Sequence, residues 1–405
     1  MSIRNSAAVV GVGSTPYYRR GESWPQTTLE LACKAILAAV DDAGLRVDDI
    51  DGFALYSMPL DVALLAQSLG IPEVRFTATL TGGGGGAAGS VGLAAAAIHG
   101  GMAECVVSFL TLQQAQRRFG AAFALRQPDK NEKKGDGGGA YSGMPHMPEM
   151  DFASPSGLIG PGQMFALLAQ RHMHLYGTKR EHFAEVAIST RENAIRRPTS
   201  LMREPLTLDA YMSARMIAEP LCLYDFCLET DGAVAVITTT AERARDLRQK
   251  PVYVLGSANG GAGRWGQAIM WMNMPDEYFA SSGHRPVAKR LYEMAGVGPE
   301  DIDVALLYDH FTPMVLMQLE DYGFCEVGES GRFVAEGSIR WPHGRIPVNT
   351  HGGNLSEAYI IGMTHIREAV EQLRGSAINQ VKDAELALVT GGPASIPVSG
   401  LILRR

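Results

Sequence analysis

The stretch AGLRVDDIDGFALY at residues 43–56 has a counterpart, AGVGPEDIDVALLY, at residues 295–308. The two stretches share the pairs AG and LY and the triplet DID at identical internal spacing. A repeat at fixed spacing in the second half of a chain indicates that one supersecondary unit was duplicated. The duplication restricts the fold far more than composition does.

Other features recur around the two copies in the same order. A short apolar run that ends in glycine precedes each copy, and a glycine cluster and a strand-like run follow it. These features lie at residues 8–13, 82–86 and 105–110 in the first half, and at residues 252–256, 352–353 and 386–390 in the second. Agreement across four features predicts that the halves are homologous.

The composition is that of an ordinary globular protein, with 46% hydrophobic and 20% charged residues. A net charge of -7 gives no basic surface for nucleic acid. No stretch approaches the roughly 18 to 20 apolar residues that span a membrane, and the N-terminus lacks the pattern of a signal peptide. The five cysteines have no paired spacing, which argues against disulfides and zinc. We therefore expect a cytoplasmic protein.

Strand-like runs alternate with helical patterns, which predicts an α/β fold with a mostly parallel sheet. Residues 113–202 have no counterpart in the second half, so we interpret them as an inserted loop domain. Within this insertion, residues 130–139 resemble a surface loop, and helices are predicted at residues 162–176 and 180–196. The first half then comprises residues 1–112 and 203–242, and the second half comprises residues 243–405.

Four motifs resemble those of thiolases, and the resemblance runs nearly from end to end. They are ETDGA at residues 229–233, YDHF at residues 308–311, VNTHGG at residues 348–353 and GG at residues 391–392. The resemblance implies a duplicated thiolase fold: two pseudo-symmetric βαβαβαββ halves in a layered α-β-α-β-α arrangement. It also implies a homodimer, and the apolar segment at residues 90–107 suits the interface.

The catalytic cysteines of thiolases have no counterpart here. Thiolases carry a nucleophilic cysteine at the start of a buried helix, where the helix end lowers the thiol pKa. That position falls near Gly84, and the second cysteine position falls at or beside Val389. Tyr359 stands at the histidine of the thiolase GHP motif, and Tyr308 stands at the residue that helps to form the oxyanion hole. Covalent acyl transfer is therefore not expected.

This pattern resembles the lipid-transfer-protein-type aldolases of steroid side-chain degradation, a thiolase-like branch. The resemblance implies a carbon–carbon lyase that cleaves a bulky β-hydroxyacyl-CoA, with coenzyme A present only as part of the substrate. It also implies a small OB-fold partner protein that makes a heterotetramer with the homodimer. Retro-aldol cleavage needs a base, an acid and stabilisation of the thioester enolate, but neither a metal nor a nucleophile.

Tyr308 and Tyr359 are the predicted proton-transfer groups, without an assignment of base and acid between them. A phenol has a pKa near 10, so a single tyrosine is a poor base at neutral pH. It acts more readily as one of a pair in which neighbouring charges or hydrogen bonds shift the phenol pKa. His351 can tune one phenol or donate to the thioester oxygen, and His310 is a further catalytic candidate. Asp309 is a candidate for binding substrate at the same place. The amides of Gly84, Gly85 and Gly86, at a helix start, are predicted to bind the oxyanion.

Each of these residues also has a structural interpretation, because buried tyrosines pack, histidines are often structural and glycines permit close helix packing. Arg196 and Arg197 can meet coenzyme A phosphates or simply be solvated. Gly11-Val12-Gly13 lacks the third glycine of a dinucleotide loop. Two other functions stay open: a thiolase or acyltransferase with an unusual nucleophile, and a catalytically inactive thiolase-like subunit that binds acyl-CoA.

Overall fold

The computed structural model describes residues 2–56, 60–114, 154–158, 160–261, 280–392 and 397–405. The strands are β1 (Ala7–Ser14), β2 (Tyr18–Arg19), β3 (Gly52–Tyr56), β4 (Phe76–Leu80), β5 (Cys105–Leu112), β6 (Met216–Ala218), β7 (Leu221–Cys222), β8 (Thr230–Thr240), β9 (Val252–Gly260), β10 (Val304–Leu306), β11 (Leu386–Gly391) and β12 (Val398–Arg404). The helices are α1 (Thr28–Ala43), α2 (Val62–Leu69), α3 (Gly86–His99), α4 (Pro161–Tyr176), α5 (Arg180–Ile195), α6 (Leu208–Met212), α7 (Ala241–Ala244), α8 (Arg285–Ala295), α9 (Thr312–Asp321), α10 (Ser330–Ala335) and α11 (Met363–Arg374).

Both copies of the repeated stretch form a helix end, a short 3-10 turn and a strand. The helices α1 and α8 end at Gly44 and Gly296, which adopt the left-handed conformation with φ of 71° and 67°. A residue without Cβ adopts this conformation without strain, so the shared glycine stops both helices. The turns Val47–Asp49 and Pro299–Asp301 then lead into β3 and β10.

The shared aspartate of the DID triplet joins two strands in each half. The carboxylate of Asp51 accepts the amides of Glu104 and Cys105 at 3.0 and 2.8 Å, where β5 begins. The carboxylate of Asp303 accepts two amides at the start of β11, at 2.8 and 2.9 Å. The repeated residues therefore make equivalent contacts in both halves.

The main sheet has the strand order β10-β11-β12-β9-β1-β8-β5-β3-β4. The strands β1 and β9 pair at its centre. Outward from this pair, the order is β1-β8-β5-β3-β4 on one side and β9-β12-β11-β10 on the other. On the second side, Val348 forms an isolated parallel bridge with Ala305 of β10. This bridge occupies the position that β4 occupies beside β3 on the first side. The two sides thus have equivalent topology.

The sheet is mixed, so the α/β class is correct but the prediction of a mostly parallel sheet is wrong. Parallel pairing is found for β3 with β4, β3 with β5 and β10 with β11. The pairs that include β1, β8, β9 or β12 are antiparallel. Parallel neighbours need a long crossover connection, and the connection from β11 to β12 is too short for one. The alternation of helices and strands in the sequence does not reveal which neighbours are antiparallel.

The helix α3 packs against strands of both halves of the sheet and against α11, so it lies between the two halves. The helix α1 packs against β1, β8 and β5, and α8 packs against β9 and β12, so both cover the central strands of the sheet. Because α3 and β5 are almost entirely buried within one chain, the core itself accounts for the apolar character of residues 90–107. The expectation that this segment suits a dimer interface is therefore corrected, although Met102 within it is 57% exposed.

The described part of the predicted insertion contains the two expected helices, α4 and α5. The helix α5 packs against α9, α10 and the turn Gly353–Glu357. The loop predicted at residues 130–139 lies outside the described residues, and the boundaries between the halves stay predictions. None of the helices in the described segments is both long and apolar enough to cross a membrane.

Gly11 and Gly13 lie inside β1, directly beneath the backbone of α1. A Cβ atom on Gly11 would lie 2.2 Å from the carbonyl oxygen of Ala39. A Cβ atom on Gly13 would lie 2.3 Å from the carbonyl oxygen of Ala35 and from the amide nitrogen of Ala39. These glycines therefore let a helix approach a strand closely, and they do not form a nucleotide loop.

We expect Gly13→Ala to lower the free energy of unfolding by about 2 kcal/mol or more, because its Cβ would meet backbone atoms that cannot move aside. Urea denaturation measures this difference. Gly100→Ala is the control, since Gly100 is exposed and has a right-handed helical conformation with φ of -80°. Equal stability of the Gly13 and Gly100 variants would contradict the close packing of α1 on β1.

Candidate active site

The two tyrosines predicted as proton-transfer groups meet in the interior of the protein. Tyr308 and Tyr359 are 1% and 4% exposed, and their hydroxyl oxygens lie 3.2 Å apart. The amide of Tyr308 donates to the hydroxyl of Thr390 at 2.8 Å. The amide of Tyr359 donates to the hydroxyl of Thr230 at 3.0 Å, and that hydroxyl donates back to the Tyr359 carbonyl. The phenols are thus held by their backbones, at a distance that permits proton transfer.

Gly84 lies against the phenol of Tyr308. A Cβ atom on Gly84 would lie 2.3 Å from both Cζ and the hydroxyl oxygen of Tyr308. The position that the thiolase resemblance assigns to the nucleophilic cysteine is therefore occupied by the tyrosine ring. A side chain at residue 84 and a tyrosine at residue 308 exclude each other sterically.

Gly85 and Gly86 have different surroundings from Gly84. A Cβ atom on Gly85 would lie 1.8 Å from the carbonyl oxygen of Pro397, and one on Gly86 would lie 2.4 Å from Cβ of Tyr56. The Gly85 amide donates to the carbonyl of Gly82 at 3.1 Å, and the Gly86 amide donates within the same turn. Close packing accounts for both glycines, and their amides are already used by the helix start.

The carboxylate of Asp309 connects the Tyr308 segment to the turn that precedes Tyr359. One oxygen of Asp309 accepts the amide of Asn354 at 2.8 Å and faces Nε2 of His365 at 3.0 Å. The other oxygen accepts the amide of Leu355 at 3.3 Å. Both oxygens therefore already have partners within the protein.

His310 packs beside the tyrosine pair. Its ring centroid lies 5.1 Å from that of Tyr308 and 4.6 Å from that of Phe165. Burial lowers the pKa of His310 to about 3. The imidazole is therefore neutral at physiological pH, and it presents one donor and one acceptor nitrogen.

His351 lies one ring further away, in edge contact with His365 at 4.7 Å between centroids, while the His365 ring lies 6.2 Å from that of Tyr308. Burial, together with His365 and nearby arginines, lowers the pKa of His351 well below its usual value. Its Nε2 is 3.9 Å from a carboxylate oxygen of Glu357, too far for a hydrogen bond. His365 was not among the residues predicted from the sequence, because it belongs to no motif and is simply the third residue of α11.

A buried ionic cluster supports the turn before Tyr359. One carboxylate oxygen of Glu357 accepts Nε of Arg197 at 2.8 Å and Nη2 of Arg367 at 2.6 Å. Arg197 also contacts Glu368 at 2.8 Å and the carboxylate of Glu371. Burial raises the pKa of Glu368. Arg197 is thus a buried structural cation, which corrects the expectation that it meets coenzyme A phosphates or is solvated.

The backbone is strained on both sides of Tyr359. Ile361 has φ of 43° and Asn349 has φ of 46°, values that residues with a Cβ atom rarely adopt. The hydroxyl of Tyr56, the repeat partner of Tyr308, donates to the Ile361 carbonyl at 2.8 Å. Tyr56 therefore contributes a structural contact, and strain of this kind is concentrated at functional sites in proteins.

The five cysteines are free thiols. Cys227 is close to the site, since its amide donates to the carbonyl of His310 at 3.0 Å. Burial raises the pKa of the Cys227 thiol, and the carboxylates of Asp309 and Glu229 raise it further. A thiol in these surroundings is a poor nucleophile. Over the described segments, no group of three or more histidine, cysteine or acidic side chains is arranged to hold a metal ion.

We expect Gly84→Ala to reduce the activity of this site about 100-fold, because the added methyl group displaces the Tyr308 phenol. The measurement is kcat/KM of the purified variant, with its melting temperature recorded alongside. Gly100→Ala, at the exposed end of the same helix, should retain wild-type activity. A fully active Gly84→Ala enzyme would show that the position of the Tyr308 ring is not critical.

Comparison with known proteins places this geometry in a family. Residues 266–400 match the family model described as thiolase C-terminal domain-like. A steroid side-chain-cleaving aldolase of Thermomonospora curvata is 39% identical, over 98% of this chain and 97% of the relative. A 17-hydroxy-3-oxo-4-pregnene-20-carboxyl-CoA lyase of Mycobacterium tuberculosis is 38% identical, over 99% of this chain and 100% of the relative.

Solved structures support the same family assignment. A structure described as an Ltp2-ChsH2(DUF35) aldolase has a TM-score of 0.87 and 37% identity, covering 100% of this chain and 99% of that chain. Human mitochondrial 3-ketoacyl-CoA thiolase, at 14% identity and a TM-score of 0.70, shares the fold. The predicted thiolase fold is confirmed, and the chain belongs to the thiolase-like family of steroid side-chain-cleaving aldolases.

Proposed function

We propose that the protein is a retro-aldolase that cleaves a bulky β-hydroxyacyl-CoA, such as one with a steroid or bile-acid side chain. The products are a ketone or aldehyde and a short acyl-CoA. The observation that carries this proposal is the buried contact of 3.2 Å between the hydroxyls of Tyr308 and Tyr359, beside a glycine instead of a cysteine. The activities of the two relatives that align over nearly the whole chain support it.

The reaction begins with removal of the β-hydroxyl proton. The electrons of the breaking bond between the α and β carbons then pass to the thioester, which becomes an enolate. A proton returns to the α carbon and completes the acyl-CoA product, so no proton is gained or lost overall. A hydrogen-bonded phenol pair suits this sequence as a relay, because one hydroxyl accepts the β-hydroxyl proton while it passes its own proton to the second hydroxyl, and the second donates to the α carbon, so both end as neutral phenols.

The enolate oxygen needs a hydrogen-bond donor that does not itself lose a proton. His310 suits this role, because burial lowers its pKa to about 3 and a neutral imidazole donates through one nitrogen. Since the thioester accepts the electrons, the proposed reaction requires no cofactor apart from the coenzyme A of the substrate.

Two alternatives predict different outcomes. Acyl transfer needs a nucleophile, and Cys227 beside His310 has a thiol pKa raised by burial, so it is poorly suited. An inactive acyl-CoA-binding subunit needs no close phenol pair. An aldolase leaves no covalent intermediate, whereas an acyltransferase gains the mass of an acyl group.

We expect Tyr308→Phe and Tyr359→Phe each to lower kcat for β-hydroxyacyl-CoA cleavage about 100-fold or more, because each removes one hydroxyl of the relay. Product formation is followed by mass spectrometry, and the intact mass of the wild-type protein should be unchanged after turnover. Tyr292→Phe is the matched control, since its hydroxyl donates to the Tyr322 carbonyl away from the tyrosine pair. Full activity of both Phe variants, or an acyl adduct on the wild-type protein, would refute the proposal.

We also propose that two copies of the chain associate through β4, and that a small OB-fold protein completes a heterotetramer. Among the described strands, β4 ends the sheet order and its neighbour is β3. Thr77 and Thr79 of β4 are exposed, and β-branched residues on an open edge suit pairing with a second chain. The similarity to a structure described with ChsH2(DUF35) supports the second component.

We expect the purified chain to sediment as a dimer of 43.5 kDa subunits. Thr77→Lys combined with Thr79→Lys should shift it to the monomer, because lysines on an edge strand oppose pairing with another edge. Sedimentation velocity measures both states, and addition of a DUF35-type OB-fold protein should increase the mass of the dimer. A dimer that persists in the double variant would exclude β4 as its interface.

A further inference from the structure

His365 is a completely buried imidazole whose Nε2 faces two acceptors. The distances are 3.0 Å to a carboxylate oxygen of Asp309 and 3.1 Å to the carbonyl oxygen of Leu307. Two acceptors around one nitrogen require that this nitrogen carries the proton. The other ring nitrogen, Nδ1, lies 3.4 Å from the hydroxyl of Thr364, which can donate to it. The surroundings thus place a proton on Nε2.

The two acceptors of His365 lie on both sides of Tyr308 in the chain. Leu307 precedes Tyr308 and Asp309 follows it, so one N–H group holds the segment that carries the first phenol. The side chain of Asn349 also binds Leu307, donating to its carbonyl at 2.8 Å and accepting its amide at 2.8 Å. The position of Tyr308 is therefore set by side chains from two other segments.

Asp309 extends this support to the second phenol. Its carboxylate accepts the amides of Asn354 and Leu355, which begin the turn that leads to Tyr359. A Cβ atom on Gly353 would lie 1.9 Å from an Asp309 carboxylate oxygen, so the turn packs directly on this group. The hydrogen bonds from His365 to Asp309 and from Asp309 to this turn therefore connect the segments that carry the two tyrosines.

We propose that His365 is a positioning residue that, through Asp309, holds the hydroxyls of Tyr308 and Tyr359 at the separation that proton transfer requires. This proposal rests on the proposed retro-aldol function and deepens it. The ring centroid of His365 lies 6.2 Å from that of Tyr308, and its Nε2 binds the Leu307 carbonyl and Asp309. It acts through the geometry of the phenol pair and takes no proton from the substrate.

The test compares two substitutions at the same position. His365→Gln keeps an N–H donor near the place of Nε2, whereas His365→Leu removes it at similar volume. We expect the Leu variant to lose about 30- to 100-fold in kcat with KM changed less than about threefold, and the Gln variant to stay within about fivefold of wild type. In a crystal structure of the Leu variant, the two hydroxyl oxygens should move beyond about 4 Å, out of hydrogen-bond range.

His172→Leu is the matched control. His172 is also buried, but it lies on α4, and its two ring nitrogens bind the hydroxyl of Thr178 at 2.8 Å and a carboxylate oxygen of Glu320 at 3.0 Å. This variant should lose stability while its folded fraction keeps the wild-type kcat. Combining His365→Leu with Asp309→Asn should cost no more than the larger single effect, because both changes break the same connection.

The outcomes separate the two proposals. If wild-type protein cleaves β-hydroxyacyl-CoA and His365→Leu keeps the wild-type kcat, the positioning role is wrong and the retro-aldol function stands. An equal loss of kcat in the Gln and Leu variants also contradicts it, since donor replacement should rescue. If the wild-type protein cleaves none of these esters, the function fails. The crystal structure then decides the positioning role alone, and an unchanged hydroxyl separation in the Leu variant overturns it.

Discussion

The carboxylate of Glu357, buried between the guanidinium groups of Arg197 and Arg367, is the constraint on which the site depends. It lies at the end of the turn that carries Tyr359, and the two arginines belong to the chain after α5 and to α11. Removing one partner of such a buried cluster typically costs about 3 to 5 kcal/mol, because it leaves an uncompensated charge. Asn349 and Ile361, on either side of this carboxylate in the chain, have positive φ angles that the surrounding contacts must hold.

The site is built from both halves of the repeat, in unequal roles. The first half provides Gly84, which leaves room for a phenol, and Tyr56, whose hydroxyl fixes the backbone beyond Tyr359. The second half provides the phenols. Equivalent positions in the two copies, Tyr56 and Tyr308, thus differ in what their hydroxyls meet: a backbone carbonyl in one copy and a second phenol in the other. The shared residues maintain the fold, and the differences between copies create the site.

The sequence predicted those features that depend on local pattern. The equivalent contacts of the two repeated stretches and the pairing of Tyr308 with Tyr359 both follow from repeats and motifs. The sequence did not predict His365, because a histidine in the first turn of a helix has many possible neighbours and only the folded chain selects Asp309. The assignment of residues 90–107 to an interface failed because an apolar, small-residue helix suits the core of a single chain equally well.

The steric exclusion between residue 84 and Tyr308 has a consequence for how such a site arises from a thiolase. A tyrosine introduced at residue 308 while a cysteine still occupied residue 84 would collide with it, because even a Cβ atom there lies 2.3 Å from the phenol. The replacement by glycine must therefore come first or at the same time, so the nucleophilic thiol is lost no later than the phenol arrives. The cysteine of acyl transfer and the phenol of carbon–carbon cleavage thus cannot coexist at this position, and a change from one chemistry to the other requires that the first be given up.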